Sequence, residues 1–428
     1  MELEKRVELI SALGDEIANQ KDKLIEAAIK DIGFTYKDTS YEFEITIHRL
    51  KSFRNALKLL EDREPLCKQD EEVALILPYN GSSWLNIAIV SIYLVGNNVR
   101  VKFSSKSPRI TKLIESIYLK IFGDPIKFDY RNGREFMRYA IENPRVKAIV
   151  AFGSDSTILP YESMIANSKK KLIFEGPGND PFIVLNDADL EEAVRELTFT
   201  KYMYSGQACT APERIYVQAD VYEIFLERFA EQTKNLVVGE PENPETDVCP
   251  LASRKAVENI KRQLEDAVVK GARIICGGKI EGNLVYPTIV ADANHSMLGM
   301  REEVFGPVSY ICKFDSPARA IELARDSRYG LRAAIFGKKD AAIIANALKG
   351  ADYLEEVEGY TFGKFGTLGI NEPRAETWRD ALVTKPIGGY GYSGWVWGFE
   401  DGKFKLKQGP KLFSIETSKG RVIDELYT

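Results

Sequence analysis

Between Val73 and Phe174 the chain keeps exchanging short apolar runs for amphipathic stretches, with few residues between them. Val73–Leu77 is an apolar run stopped by Pro78, and Trp84–Val95 reads as helix. Asn98–Phe103 reads as strand, Ser107–Ile121 as helix, Ile126–Phe128 as a short strand and Arg134–Ile141 as helix. Val146–Phe152 and Lys171–Phe174 are apolar throughout most of their length, the pattern of strands buried on both faces. Strands that alternate with helices across short connections build an open, mostly parallel sheet with helices on both sides. Sheets of that kind bind ligands outside the carboxyl ends of their strands. No Gly-x-Gly-x-x-Gly follows any of these strands, which by itself counts against an ordinary dinucleotide fold.

A second alternation begins at Pro181. Phe182–Leu185 reads as strand, and Asp189 with Glu192 resembles a capping box that opens a helix through Tyr204. Helices are expected at about 220–234 and 252–270, and strands at 272–276, 285–290, 307–313 and 332–336. Residues 354–366 and 388–394 read as glycine-rich loops. Ahead of both units, Leu9, Leu13, Ile17, Leu24, Ile25, Ala28 and Ile29 recur at helical spacing, and Tyr41–Leu60 is amphipathic. The sequence therefore predicts an α/β fold of two doubly wound open-sheet domains. Residues 1–176 hold the N-terminal helices and the first sheet, 177–398 the second sheet, and 399–428 a tail. A cleft between the two domains is where a site is expected.

The residue balance narrows the chemistry. A net charge of −5 argues against a general nucleic-acid binder. No apolar run reaches membrane-spanning length, and the charged start Met1–Val7 lacks a signal-peptide core. Cys67, Cys209, Cys249, Cys276 and Cys312 are too scattered for a disulfide framework and show no paired metal spacing, so a reducing, cytoplasmic setting without a metal is expected. The chain has 2 histidines, His48 and His295, which makes a histidine zinc site or a Ser-His-Asp triad improbable. Carboxylates and cysteine are left to do any chemistry.

Two residues stand out on those terms. Cys209 lies in Ser205-Gly-Gln-Ala-Cys-Thr-Ala-Pro-Glu-Arg214, between the end of a helical run and the strand-like Arg214–Val217. Glu175 lies 34 residues upstream, at the end of Leu172–Phe174, where Gly176 and Gly178 force a turn. A nucleophile and a carboxylate, each presented at an element end, suit covalent catalysis with a base to finish the cycle. Taken alone, Cys209 fits a packing role as well, since a free cysteine is among the most buried residue types, and Glu175 fits a surface charge.

Gly206–Pro212 resembles the Gly-Gln-x-Cys-x-Ala segment of the aldehyde dehydrogenase superfamily. Glu175–Gly178 resembles its Glu-Leu-Gly-Gly segment, and Glu302–Val308 its Glu-Glu-Ile-Phe-Gly-Pro-Val segment, in the family's order. The resemblance implies a Cys209 nucleophile and a Glu175 base, with Asn80 of Pro78-Tyr79-Asn80 joining the Cys209 amide as oxyanion donors. It implies a nicotinamide dinucleotide bound without the usual glycine fingerprint. Lys102 is its adenosine-ribose lysine, and Ser105 stands where NAD-preferring members carry Glu, followed by Lys106. Ser plus Lys can accept a 2′-phosphate that a carboxylate would repel, so NADP is favoured over NAD. Phe152-Gly153-Ser154, one residue shorter than the family's Phe-Thr-Gly-Ser, and Gly176 are expected near the pyrophosphate; Glu303 and Phe305 at the nicotinamide ribose and ring. Tyr329-Gly330-Leu331, Pro386–Gly394 and Asn371 match family segments that shape loops.

The implied reaction is attack of the Cys209 thiolate on an aldehyde, hydride transfer to the nicotinamide, and Glu175-assisted hydrolysis of the thioacyl enzyme. Gly176-Pro177-Gly178-Asn179 also resembles the Gly-x-Gly-Asn-x-Pro segment of CoA-acylating members, so acyl-CoA formation or its reversal is the alternative; a non-catalytic ligand-binding or scaffold relative is another. The short connection Glu64–Glu72 leaves no room for the family's oligomerisation hairpin, so a homodimer is expected, with Pro410–Thr417 as a possible pairing strand in a small oligomerisation extension. Trp84, Tyr204, Phe362, Trp378, Trp395 and Trp397 are candidates to line an aromatic substrate tunnel.

Overall fold

The computed structural model describes residues 3–61, 72–84, 86–94, 96–349, 355–357, 360–362, 364–374, 390–391, 393–400 and 403–407. Three helices open the chain: α1 (Leu3–Asn19), α2 (Lys21–Ile32) and α3 (Tyr36–Glu61). Val7, Ile10, Leu13 and Ile17 recur on one face of α1 and are buried, which is the ordinary reason for such a helix to dock. α2 stops at Gly33, whose φ of 80° lets its N–H close on the Ile29 carbonyl.

The first sheet contains β1 (Glu72–Ile76), β2 (Asn98–Lys102), β3 (Ile126–Phe128), β4 (Val146–Phe152) and β5 (Lys171–Glu175). They lie in the order β5-β4-β1-β2-β3, and every pair is parallel. Helices Asn86–Leu94, Pro108–Ile121 and Gly133–Glu142 make the crossovers. Val73, Leu75, Val99, Val101 and Val150 pack with α1 and α2 on one face of this sheet, while Ala74, Ile149, Ala151, Leu172 and Phe174 pack with Phe136 and Ile165 on the other. Alternate residues of one strand thus enter two different cores, as the pleat requires.

The second sheet places β6 (Asp180–Val184) and β7 (Pro212–Gln218) at its centre. Its full order is Thr367–Ile370, Arg332–Phe336, β6, β7, Val308–Phe314, Thr288–Ala291, Arg273–Cys276, parallel throughout except for the last strand. The helix opened by Asp189 caps as expected, with the Asp189 side chain accepting from Glu192 N, but it ends at Tyr202. Tyr204 and Ser205 both have a φ of 54°, which breaks the helix before the cysteine segment.

Several expectations need correction. The stretch 354–366 is not all loop: Glu355–Val357 pairs antiparallel with Tyr360–Phe362. Likewise Gly394 begins a strand, Gly394–Glu400, rather than ending a loop. That strand runs across the expected boundary at residue 398 and pairs antiparallel with β5, and Lys403–Lys407 pairs outside it. Gly394–Glu400 and Lys403–Lys407 therefore add two strands to the edge of the first sheet. The physical reason is the open edge of β5, whose unpaired backbone groups accept an added strand. Of the aromatic candidates, Trp84 is partly buried against the first core, and the buried Tyr204 has its ring centre 4.9 Å from that of Phe34. Helices Asp155–Ile158, Glu162–Ser168, Pro317–Arg325 and Ala341–Lys349 were not expected from the sequence. Cys67, Trp378, residues 386–389 and 410–417, and the side chains of Phe362, Trp395 and Trp397 lie outside the described residues.

Candidate active site

Because β5, β4, β1 and β2 are parallel neighbours, their carboxyl ends share one edge of the sheet. Glu175 ends β5, Gly153 follows β4, Asn80 follows β1 and Lys102 ends β2. Strand spacing of about 4.8 Å sets these residues in a row. Residues far apart in sequence meet here for a topological reason, before any side-chain detail is considered.

The cysteine segment descends onto this row from the second sheet. Tyr204, Ser205 and Gly206, with φ of 54°, 54° and 75°, turn the chain sharply after the helix. Gly206 is required twice over: a Cβ there would lie 2.2 Å from the Gly306 carbonyl oxygen. Gln207 then braces the turn. Its Nε2 donates to the Tyr204 carbonyl, and its Oε1 accepts from the Tyr79 hydroxyl and from Ala252 N. Cys209 follows, half-buried, and its Sγ lies 3.9 Å from Glu175 Oε1. Asn80 Nδ2 donates to the Gln207 carbonyl at 3.1 Å. An amide nitrogen carries two hydrogens, so that bond leaves the second for another acceptor. Opposite, Gly178 fits so closely that a Cβ would stand 2.1 Å from the Cys209 carbonyl oxygen.

The site is acidic, with Glu175 and Asp180 buried. Burial pushes the Glu175 carboxyl up to about 8, the nearby Asp180 carboxylate adds to the rise, and the Cys209 thiol offsets part of it. Burial also holds the Cys209 thiol well above its ordinary value, reinforced by Glu175, Glu303 and Asp180. The Glu175 carboxyl is thus held near neutrality, and the Cys209 proton is held on its sulfur.

Around this centre lie the residues expected to hold a dinucleotide. Lys102 is buried and its Nζ donates to the Phe103 carbonyl; Ser105 is exposed in the turn beyond. Lys106 departs from expectation: its Nζ donates to the Ala252 carbonyl and sits 4.7 Å from the centre of the Tyr79 ring. An ammonium has three donors, so that one bond leaves others for a further acceptor. Gly153, with φ of 148°, and exposed Ser154 follow β4, and Gly176 N donates to the Ser393 carbonyl. Glu303 Oε1 accepts from Gly178 N at 3.0 Å, next to the cysteine segment. Phe305 meets Tyr79 edge-on, with ring centres 6.4 Å apart.

A model of the aldehyde dehydrogenase family matches residues 1–408. The chain belongs to that family. Vanillin dehydrogenase of Pseudomonas fluorescens is 32% identical over 292 residues, 67% of this chain and 61% of that one, so the match spans less than two thirds of that relative's length. An NADP(+) succinate-semialdehyde dehydrogenase of Mycobacterium avium is 30% identical over 348 residues, 76% of this chain and 73% of that one. An oxidoreductase from Marinobacter aquaeolei superimposes with a TM-score of 0.82 at 22% identity, covering 95% of this chain and 85% of the other. Betaine aldehyde dehydrogenase of Staphylococcus aureus, solved in complex with NAD+, reaches 0.81 at 24% identity over 95% of this chain and 84% of that one. At these identities the structural likeness is one of fold.

The chain also braces these segments with residues that the sequence reading passed over. Glu213 lies fully inside β7 and accepts from Val304 N and Phe305 N, so one carboxylate fixes the strained turn at Phe305, φ 53°. Asn179 Nδ2 donates to Glu213 and to the Gly299 and Glu302 carbonyls. Arg374 reaches the Thr210 carbonyl and hydroxyl, beside Cys209. A carboxylate among the apolar residues of a central strand was the available signal for Glu213, because such a group must be hydrogen-bonded. The set of an ammonium, exposed hydroxyls and a carboxylate, along strand carboxyl ends, fits a nicotinamide dinucleotide with its ribose diols.

Proposed function

We propose that this chain oxidises an aldehyde to a carboxylic acid, using NADP in preference to NAD, with Cys209 as nucleophile. The observation that carries the reading is the 3.9 Å approach of Cys209 Sγ to Glu175 Oε1, with the Asn80 amide bound to the same segment. Residues 1–176, extended by 394–407, form the nucleotide-binding unit in this reading, and the remainder of the second sheet carries the cysteine. Lys102, Ser105, Gly153, Ser154 and Gly176 would hold the dinucleotide along the first sheet, with Glu303 and Phe305 at its nicotinamide end. Ser105 in place of a carboxylate supports NADP, as do relatives named for NADP(+). A homodimer in the cytoplasm is the assembly and setting we assign.

The Cys209 thiol gives up its proton to solvent, and the thiolate adds to the aldehyde carbonyl carbon, whose oxygen becomes an alkoxide. Asn80 Nδ2 and the Cys209 N–H donate to that oxygen as pre-aimed donors. The bound nicotinamide supplies the hydride acceptor that turns the thiohemiacetal into a thioester. Glu175, at about 8, then takes a proton from water as it attacks the thioester, and the acid leaves.

A single-turnover assay tests this. Protein is mixed with NADP or NAD and a panel of aldehydes, with and without coenzyme A. Acid released without coenzyme A is the expected result. A burst that stalls until coenzyme A arrives would instead make the chain an acylating member. Cys209→Ala abolishes the burst. Glu175→Gln keeps it and lowers steady turnover by about 10²–10⁴-fold; unchanged turnover in that variant would remove Glu175 from its role. Labelling of Cys209 failing together with nucleotide binding would point to a non-catalytic relative.

A further inference from the structure

The two expected oxyanion donors belong to different sheets. Asn80 follows β1 of the first, and Cys209 precedes β7 of the second. Catalysis by pre-aimed donors needs their separation fixed to within a fraction of an ångström. One short segment of the N-terminal region touches the loops that carry them, at Tyr204 on one side and at Ser83 and Trp84 on the other.

Asp38, in the first turn of α3, accepts from Tyr204 N at 2.9 Å. Tyr204 is the first of the three residues with positive φ that turn the chain into Cys209. The same Asp38 oxygen accepts from the Thr35 hydroxyl at 2.7 Å, so its direction is set before the loop arrives. One helical turn on, Glu42 is 4% exposed, and its Oε1 accepts from Ser83 N at 3.3 Å and Trp84 N at 3.1 Å. These amides close the turn that begins at Asn80. Phe34 adds apolar contact in both directions, with its ring centre 6.3 Å from Tyr79 and 4.9 Å from Tyr204. Gly33 joins in, its carbonyl accepting from the Cys249 thiol while Ser205 Oγ accepts from Cys249 N.

We propose that Asp38 and Glu42 are positioning residues for the oxyanion site: two carboxylates on one rigid helix hold the Cys209 segment and the Asn80 turn at a fixed separation. Carboxylates at i and i+4 lie on one helix face, which is why a single helix can grip two loops from different sheets. The proposal rests on the reading of Asn80 and the Cys209 amide as oxyanion donors. Neither carboxylate touches the reacting atoms.

The test uses the full chain carrying Asp38→Ala, Asp38→Asn, Glu42→Ala or Glu42→Gln. The amide variants keep an acceptor oxygen and the alanine variants do not. Each alanine variant is expected to lower kcat for aldehyde oxidation about 10–100-fold with KM for NADP within about twofold of the parent. The Asn and Gln variants are expected to recover kcat to within about threefold. The iodoacetamide labelling rate at Cys209 is read on the same proteins: it should change in Asp38→Ala and return in Asp38→Asn. That arm needs no aldehyde, so a parent protein without aldehyde activity would end the functional reading while the labelling still judges the clamp. Alanine variants with parental kcat and labelling overturn the proposal, as do amide variants that fall as far as alanine. Where an alanine variant does not fold, Thr35→Val decides, because it removes the hydroxyl that aims Asp38 and leaves the carboxylate in place. It is expected to cost about threefold in kcat, and parental kcat in it overturns the proposal.

Discussion

Cys209 and Glu175 oppose each other electrically as well as facing each other. An ionised Glu175 disfavours the thiolate, and so do Glu303 and Asp180, on top of burial. The thiol of the free protein is therefore held above the ordinary value of 9.0. Only thiolate is alkylated. Labelling of Cys209 by iodoacetamide is expected to be slow at neutral pH and still rising with pH beyond that ordinary value, read by mass spectrometry on the peptide. Glu175→Gln removes one opposing charge where Glu175 is ionised, so above about pH 8 its labelling should be faster than the parent's by roughly threefold or more at the same pH. Equal rates there would mean that Glu175 does not act on the thiol. In the sequence both residues stand out through the resemblance of their segments, because their place at an element end suits a packed cysteine and a surface charge as well. Glu213, Asp38 and Glu42 could not be paired in advance, because what they hold are backbone amides of distant segments. Amides carry no sequence signature, so a residue that acts on them shows only its own burial.

At the scale of elements, the three family segments are fitted to one another through glycine. Gly178 and Gly306 look alike in sequence, each beside a site residue, yet their surroundings differ. A Cβ on Gly178 would meet the Cys209 carbonyl oxygen at 2.1 Å, a backbone atom. On Gly306 it would meet Ile260 Cδ1 at 2.3 Å, the far end of a flexible side chain. Overpacking of this kind costs about 1–3 kcal/mol, and the cost falls where the neighbour can turn aside. Gly178→Ala should therefore lower kcat by roughly tenfold or more and depress Tm by several degrees, whereas Gly306→Ala should keep more of both. Calorimetry and steady-state rates on the two variants check this, and the reverse ranking would mean that the Cys209 segment yields more readily than Ile260. Strand and helix order was legible from periodicity because buried parallel strands are apolar throughout. Gly394–Glu400 escaped for the opposite reason: glycine at its start and its charged end read as loop, and only the open edge of β5 makes it a strand.

Over the whole molecule, the site and its support store carboxyl groups in a form that water would not choose. Burial first, partly offset by hydrogen bonds, raises Glu42 from 4.5 to about 7. Shielding from water raises Asp38 from 3.8 to about 7, and burial raises Glu175 from 4.5 to about 8. A carboxyl whose value is higher in the folded chain binds its proton more tightly there than in the unfolded chain. Its contribution is complete below the unfolded value and is lost as pH rises through the folded value. For Glu42 the rise from 4.5 to about 7 corresponds to a loss on the order of 3 kcal/mol by pH 8. Lys201, lowered from 10.5 to about 8 chiefly by burial, works in another window. It carries its charge in both states below 8, so its burden eases only above that value. The urea midpoint of the protein should thus fall steadily between about pH 5 and pH 8. Glu42→Gln keeps an acceptor for Ser83 and Trp84 without a titrating group, so its midpoint should fall less steeply over the same interval. Parallel slopes in parent and variant would show that Glu42 does not titrate there. The same interval is where Glu175 gains its basic form and turnover should climb, so the pH that favours the reaction lies at the upper, less stable end of the range. A base of the kind proposed for Glu175 meets this opposition by construction: the desolvation that brings its carboxyl to about 8 also makes its ionised form costly to house.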